Sequence, residues 1–306
     1  MRIVLLGTGT PKPDHRRAGT STLVAVEQDT LLFDCGPGAT IRAVAAGYPP
    51  TSIDYLFFTH HHFDHNLDYP HLVLTRWDQG AGAVRDLQVF GPPPTMSMTR
   101  LLFDPGGVYD ADIVARTSSA ASLALHVARG GALPRARPHV VAHEIGPGEV
   151  YADHHWLVRA APTTHVEHLR SLAYRTEAEE GAVVIAGDTK PCRSVVDLAR
   201  GADILIHPAN VNPGSLGSTP PVEAGRIAAA AGVKMLVLVH LGQSADDEGI
   251  AQQVLTDVRS VFDGTALLGA DGMEISLTVS GKPVLAMEGS SIPAPRSPID
   301  DPCARC

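Results

Sequence analysis

Aromatic residues make up only 5% of this 306-residue chain, so alanine, valine and leucine have to fill whatever core it builds. The 44% hydrophobic content is enough for a sizeable core, in one large domain or two small ones. No apolar run approaches the roughly 20 residues that cross a bilayer. Cysteine is sparse: Cys35, Cys192, Cys303 and Cys306 are too few and too dispersed for a disulfide framework. No dense Lys/Arg run occurs, and the net charge is −9 with His neutral. That balance argues against a nucleic-acid partner gripped through its phosphates. The opening MRIVLLGTGT has one Arg and a short apolar run; it reads as a first strand and a glycine turn, not a secretory signal. The expectation is a cytoplasmic protein without a membrane segment, and earlier removal of a leader is left open.

The 29 Gly and 24 Pro are scattered, which implies many short elements joined by turns. Apolar alternation predicts strands at 2–6, 22–27, 30–34, 53–59, 87–90, 140–145, 156–162, 172–176, 182–186, 204–207, 235–240, 274–279 and 283–287. The second and third form a hairpin with Gln28-Asp29 at the turn. Helices are predicted at 37–46, 66–76, 112–128, 194–200, 220–231 and 248–262. Strand-rich and strand/helix stretches in both halves fit an α/β chain in αββα layers: two mixed sheets face to face with helices outside. Residues 1–288 are read as the domain, 104–138 as an insertion or lid on it, and 289–306 as a loose Pro/Ser-rich tail.

The densest chemical signal is Thr59-His60-His61-His62-Phe63-Asp64-His65, at the end of the apolar strand 53–59. In extended backbone His60 and His62 point the same way and His61 points away. The chain then turns, and Asp64 and His65 open a helix. Imidazole with carboxylate suits zinc, with iron or manganese also admissible. The alternative is a surface histidine run, which the end of a buried strand accommodates poorly. Four residues do not close two metal sites. His165, Asp188 and His240 each directly follow an apolar strand, where layered α/β folds place their sites.

This order of residues resembles the signature of the metallo-β-lactamase superfamily, from residue 1 to about 280, in a layout similar to the ribonuclease Z branch. Gly7-Thr8-Gly9-Thr10-Pro11 resembles the opening loop of that branch. The resemblance implies two ions, one held by His60, His62 and His165, the other by Asp64, His65 and His240, with Asp188 bridging. It also implies that Asp34, in Leu-Phe-Asp-Cys-Gly, supports the ligands from behind. The chain departs from the branch in two places. His207-Pro208-Ala209-Asn210 replaces a His-Glu dipeptide, and Gly217-Ser218-Thr219 replaces His-Ser-Thr, so a relay acid and a phosphate-contacting imidazole are missing. The 104–138 segment also lacks the Lys-rich character of a tRNA-gripping arm.

The expected chemistry is attack by a hydroxide held between two zinc ions, with Asp64 orienting it and His207 as a second candidate catalytic residue. The departures favour a small, fairly apolar substrate, with dehalogenation of a chlorinated aromatic such as chlorothalonil as one instance. A lactone, ester or sulfate ester fits equally on chemistry. The alternative is a phosphodiesterase, tRNA 3′ processing included. A non-enzymatic metal-binding protein is the third reading, and seven intact ligand candidates argue against it. Asn210 and Asn212 are candidate substrate contacts or ordinary loop residues; Trp77, Met96 and Met98 are pocket-lining candidates or core. Cys35 reads as a small buried residue despite adjoining Asp34. His154 and His155 read as surface residues, and Cys303-x-x-Cys306 has the spacing of a metal pair but no second pair. A homodimer is expected by family likeness, with His143 a candidate metal contact at its interface.

Overall fold

Alternation within the strands explains the layering. Leu31 and Phe33 point into one core and Leu32 into another; Ile204 and Ile206 point into the first and Leu205 into a third. A strand with both faces apolar must be covered on both sides, so each sheet packs on its partner and on helices. The computed structural model describes residues 1–210, 219–279 and 283–285. One sheet holds β1 (Arg2–Gly7), β2 (Ser21–Val26), β3 (Asp29–Phe33), β4 (Tyr55–Phe57), β5 (Leu87–Gly91) and β6 (Val140–Glu144). The other holds β7 (Gly148–Ala152), β8 (Trp156–Pro162), β9 (Leu172–Ala178), β10 (Gly181–Ile185), β11 (Ile204–Pro208), β12 (Met235–Val239) and β13 (Thr265–Leu268). The chain then returns to the first sheet, where β14 (Glu274–Ser276) pairs with β1 and β15 (Val284–Leu285) lies outside it. Both sheets are mixed: β3 to β6 run parallel beside antiparallel β1 and β2, and β10 to β13 run parallel beside antiparallel β8 and β9. The expected α/β architecture of two mixed sheets flanked by helices is the one observed.

A cluster of aromatics lies where the sheets meet. Phe33, Phe57 and Phe90 are cross-strand neighbours, stacked with centroids 4.9 and 5.0 Å apart, and Tyr174 closes on Phe57 from the second sheet at 5.6 Å. This cluster fixes the spacing of the sheets directly beneath the loops that carry the histidines.

Several elements differ from the sequence expectation. The hairpin pairs Val26 with Asp29, so its two-residue turn is Glu27-Gln28, with Glu27 at φ 51°; a tight turn of this kind needs positive φ. The helix predicted at 66–76 is two helices, Phe63–Asn66 and Tyr69–Gly80. The helix predicted at 112–128 is also two, Asp110–Ser118 and Ala120–Ala128, because Ser119 adopts extended backbone. The helix Thr95–Phe103 and the strands β7 and β13 carry too weak a period to be read from the sequence. Within 104–138, Arg116, Arg129 and Arg135 all bond Asp78 on the helix Tyr69–Gly80, at 2.9 to 3.0 Å. The tail 289–306, with Cys303 and Cys306, lies outside the described residues, as do Asn212, Gly217 and Ser218.

Candidate metal centre

The loops after β3, β4, β8, β10 and β12 meet at one end of the sandwich. Asp34 and His240 come directly after β3 and β12, and His60, His165 and Asp188 come three residues past the ends of β4, β8 and β10. Asp34 and His240 are both at positive φ (59° and 56°). That conformation costs a non-glycine residue roughly 1–3 kcal/mol and persists only where its surroundings dictate it. Gly187, also at positive φ, lets the loop after β10 pass so close to Thr59 that a Cβ there would lie 2.7 Å from the Thr59 Cβ.

The structure brings together all seven metal-ligand candidates of the sequence. His60, His62, His165 and Asp188 form one group and Asp64, His65 and His240 another, each with its ligand atoms within 4.8 Å of one another. His62 Nδ1 lies 3.0 Å from His60 Nε2 and 3.2 Å from His165 Nε2. His240 Nε2 lies 3.3 Å from Asp64 Oδ2 and 3.3 Å from Asp188 Oδ2. Asp188 Oδ1 is 3.7 Å from His65 Nε2, and its Oδ2 is 3.7 Å from His165 Nε2. The two carboxylate oxygens of Asp188 thus reach both groups. Ligand atoms on a tetrahedron around zinc lie about 3.4 Å apart, given bonds of about 2.0–2.1 Å.

A metal fits these residues on a further observation. His65 Nε2 and Asp64 Oδ1 are buried and have no hydrogen-bond partner among the described residues. Leaving such atoms unpaired costs about 1–3 kcal/mol each, which a cation among them would remove. Burial and the neighbouring imidazoles hold His60 and His62 below the usual histidine range, in the neutral form that ligates. Burial acts the same way on His65, but the carboxylates of Asp34, Asp188 and Asp64 outweigh it and raise that imidazole to about 9. The pocket therefore draws positive charge at neutral pH.

Behind the candidate ligands stands Asp34. Its Oδ1 accepts the Thr59 backbone N–H at 2.7 Å, and its Oδ2 accepts from Thr59 Oγ1 and His65 Nδ1, both at 2.7 Å. With Nδ1 committed to Asp34, His65 presents Nε2 to the pocket. Thr59 Oγ1 also lies 3.0 Å from His60 Nδ1, so one threonine steadies both groups. Sequence reasoning missed Thr59; the signal available was a hydroxyl at the end of an apolar strand, directly before the cluster.

Other candidates fall elsewhere. His207 lies in β11, fully buried; its Nδ1 donates to the Pro208 carbonyl at 2.8 Å, its Nε2 has no partner among the described residues, and burial lowers it to about 4. The Asn210 backbone N–H donates to the Thr219 carbonyl at 3.0 Å. His61 points away from the ligands, 2.8 Å from Thr95 Oγ1 and 3.0 Å from the Pro92 carbonyl. Cys35 is buried and its thiol is pushed well up by burial, as befits a packing residue. Trp77 lies apart from the cluster: it donates to the Ala136 carbonyl, carries Arg135 on its ring at 4.2 Å, and lines a separate cleft of about 430 Å³ with His126 and His139. Met98 packs in the outer core, while Met96 is exposed. His143 stacks on Phe90 at 4.7 Å and lies 3.3 Å from Gln88 Oε1. His154 and His155 are exposed. Among the described residues no helix is long and apolar enough to cross a membrane.

The profile of the Metallo-beta-lactamase superfamily matches residues 16–218. The chain belongs to the metallo-β-lactamase superfamily. It is a metal-dependent hydrolase of that superfamily. Ribonuclease Z of Mycobacterium sp. (strain KMS) is 34% identical over 264 residues, which cover 80% of this chain and 88% of that protein. Among solved structures, the metallo-β-lactamase fold protein YhfI from Bacillus subtilis superposes with a TM-score of 0.69 at 20% identity, covering 89% of this chain and 98% of that one. The short form of human tRNase Z gives a TM-score of 0.62 at 22% identity, covering 90% and 99%. The expectation that nucleic acid is not a partner is thereby corrected: likeness to ribonuclease Z along most of its length outweighs an argument from net charge. Net charge sums over the whole surface, whereas a phosphate meets only the charges near it. The same likeness favours the phosphodiesterase reading over dehalogenation or another small apolar substrate.

Proposed function

We propose that this protein is a two-zinc phosphodiesterase that cleaves RNA in the manner of a tRNA 3′-processing endonuclease. The observation that carries this reading is the 34% identity with ribonuclease Z across 88% of that protein's length. The convergence of five imidazoles and two carboxylates supports it. In this reading His60, His62 and His165 hold one ion, Asp64, His65 and His240 the other, and Asp188 lies between them. Divalent ions bound there supply Lewis acidity and an activated water at neutral pH. Asp64, with Oδ1 unpartnered, orients the attacking water and accepts its proton. His207 is fully buried in β11 and bonds the Pro208 carbonyl, so in this reading it supports the strand and does not touch substrate. Zinc suits the ligand set best, with iron and manganese chemically admissible. The absent relay acid at Pro208 and absent imidazole at Gly217 lower the rate rather than change the reaction class.

The test is cleavage of precursor tRNA and of bis(p-nitrophenyl) phosphate by protein of measured zinc content. Cleavage of both is expected, and Asp188→Ala should lower each by at least about 10²-fold, the size of loss on removing one group that stabilises developing charge. Zinc-replete protein inert toward both would sink the reading, as would an Asp188→Ala variant of full activity.

A further inference from the structure

The residue between His62 and Asp64 is Phe63, which is 56% exposed. Its Cα lies about 3.8 Å from those of two candidate ligands, so its backbone position is fixed by whatever fixes them. An exposed Phe in a chain with seven of them is poorly spent on solvent. It does not stand alone. Leu67, four residues on and so on the same side of the helical turn, is 60% exposed. On the facing loop Val166 directly follows His165 and is 40% exposed, and His165 Nε2 stands 3.2 Å from His62 Nδ1 across the site. Of the three loops that bear candidate histidines, those after β4 and β8 thus carry an exposed apolar residue immediately after a histidine, whereas Leu241 after His240 is buried.

The same rim carries positive charge. Lys190 and Arg170 are exposed, and neither has an ion pair among the described residues; Glu167 is the one acid in the stretch 165–170. The Lys190 backbone N–H donates to the Thr164 carbonyl at 2.6 Å, which ties the loop of Asp188 to the loop of His165. Lys190 comes two residues after Asp188, and Arg170 precedes Ser171, whose carbonyl accepts the Thr163 backbone N–H at 3.0 Å, so both cations are carried by the loops that hold Asp188 and His165. An exposed aromatic on one loop of a hydrolytic centre and exposed cations on the others are complementary to a base joined to a phosphate.

We infer that Phe63 is a base-stacking residue, which holds an unpaired nucleotide next to the scissile phosphate and sets a preference for single-stranded RNA at that position. The inference rests on the phosphodiesterase reading above. Val166 and Leu67 widen the apolar contact, and Lys190 and Arg170 hold the flanking phosphates.

The experiment compares zinc-loaded wild type with Phe63→Ala and Phe63→Trp on three short RNAs with an unpaired 3′ segment. One is intact, and the other two lack the base on one or the other side of the scissile bond. Wild type should cleave the intact RNA about 5- to 150-fold more efficiently than one of the abasic RNAs, the range for one base stacked on one aromatic ring. Phe63→Ala should cleave the intact RNA at the abasic level, while Phe63→Trp keeps the preference. Binding of the cleaved product RNA, followed by fluorescence anisotropy, should weaken in Phe63→Ala by a similar factor with zinc content unchanged. A wild type that cleaves RNA but treats intact and abasic RNAs alike overturns this inference and leaves the phosphodiesterase reading standing. So does a Phe63→Ala variant that keeps the preference, or one that only turns a dimer into a monomer. A wild type that cleaves no RNA overturns both.

Discussion

Asp34 shows how much one buried carboxylate decides. It takes no place in either ligand group, yet it receives three hydrogen bonds and fixes which nitrogen His65 offers. Asp34→Ala should lower zinc affinity about 10- to 100-fold, as measured by competition with a chromophoric chelator, with Asp34→Asn milder. Unchanged affinity in both variants would remove Asp34 from the site. His207 gives a second expectation at this scale. Its folded value of about 4 lies below the ordinary 6.5, so the unfolded chain binds the extra proton. A depressed histidine contributes stability that is present above pH 6.5 and lost as the pH falls through about 4. The loss is on the order of 3 kcal/mol. Urea midpoints of wild type between pH 7 and 4 should fall more steeply than those of His207→Asn; parallel curves would mean that His207 does not stay neutral on folding.

Elements set the limits within which those residues act. The loops after β4 and β10 touch through Thr59 and Gly187, with no room for a methyl group between them. Gly187→Ala combines that clash with a φ of +59°, and should cost about 3 kcal/mol or more together with measurable zinc loss. A variant with wild-type stability and metal content would show that the two loops are free to separate. The segment 104–138 is anchored by charge rather than by a large apolar face. Arg135 is almost fully buried and stands on Trp77 with Asp78 as its counter-ion. Asp78→Ala should destabilise the protein by about 2–3 kcal/mol in urea, since it strands a buried guanidinium. A change under about 0.5 kcal/mol would mean that the segment is held by other contacts.

At the scale of the whole molecule, the candidate ligands come from both sheets. His60, His62, Asp64 and His65 follow a strand of the first sheet; His165, Asp188 and His240 follow strands of the second. Bound ions would cross-link the two halves of the sandwich, and a ligand that binds only the folded state stabilises it by about 4 kcal/mol at a free concentration 1,000 times its dissociation constant. The melting temperature should therefore rise with free zinc and fall on chelation; a melting curve indifferent to both would contradict a site shared between the sheets.

The sequence by itself determined the layered α/β architecture and the set of candidate metal ligands. Both are local signals: apolar alternation dictates which strand faces are covered, and a ligand-type residue directly after each apolar run marks where that strand ends. Where the local period was weak, as in the helix Thr95–Phe103 and the half-exposed β7, the elements went unread. Residue types also told where the chain departs from the ribonuclease Z pattern, but net charge misjudged the partner because it averages over the surface. Only the tertiary structure decided which atoms face one another. His62 meets His165 across 103 residues and Asp64 meets His240 across 176, and no local pattern carries contacts of that span. It decided too that Asp34 grips Thr59 and His65, that His207 is sealed inside β11, and that Trp77 lines a cleft of its own. Each of these depends on which loops the two sheets bring together at one end, a property of the packed sandwich rather than of any segment within it.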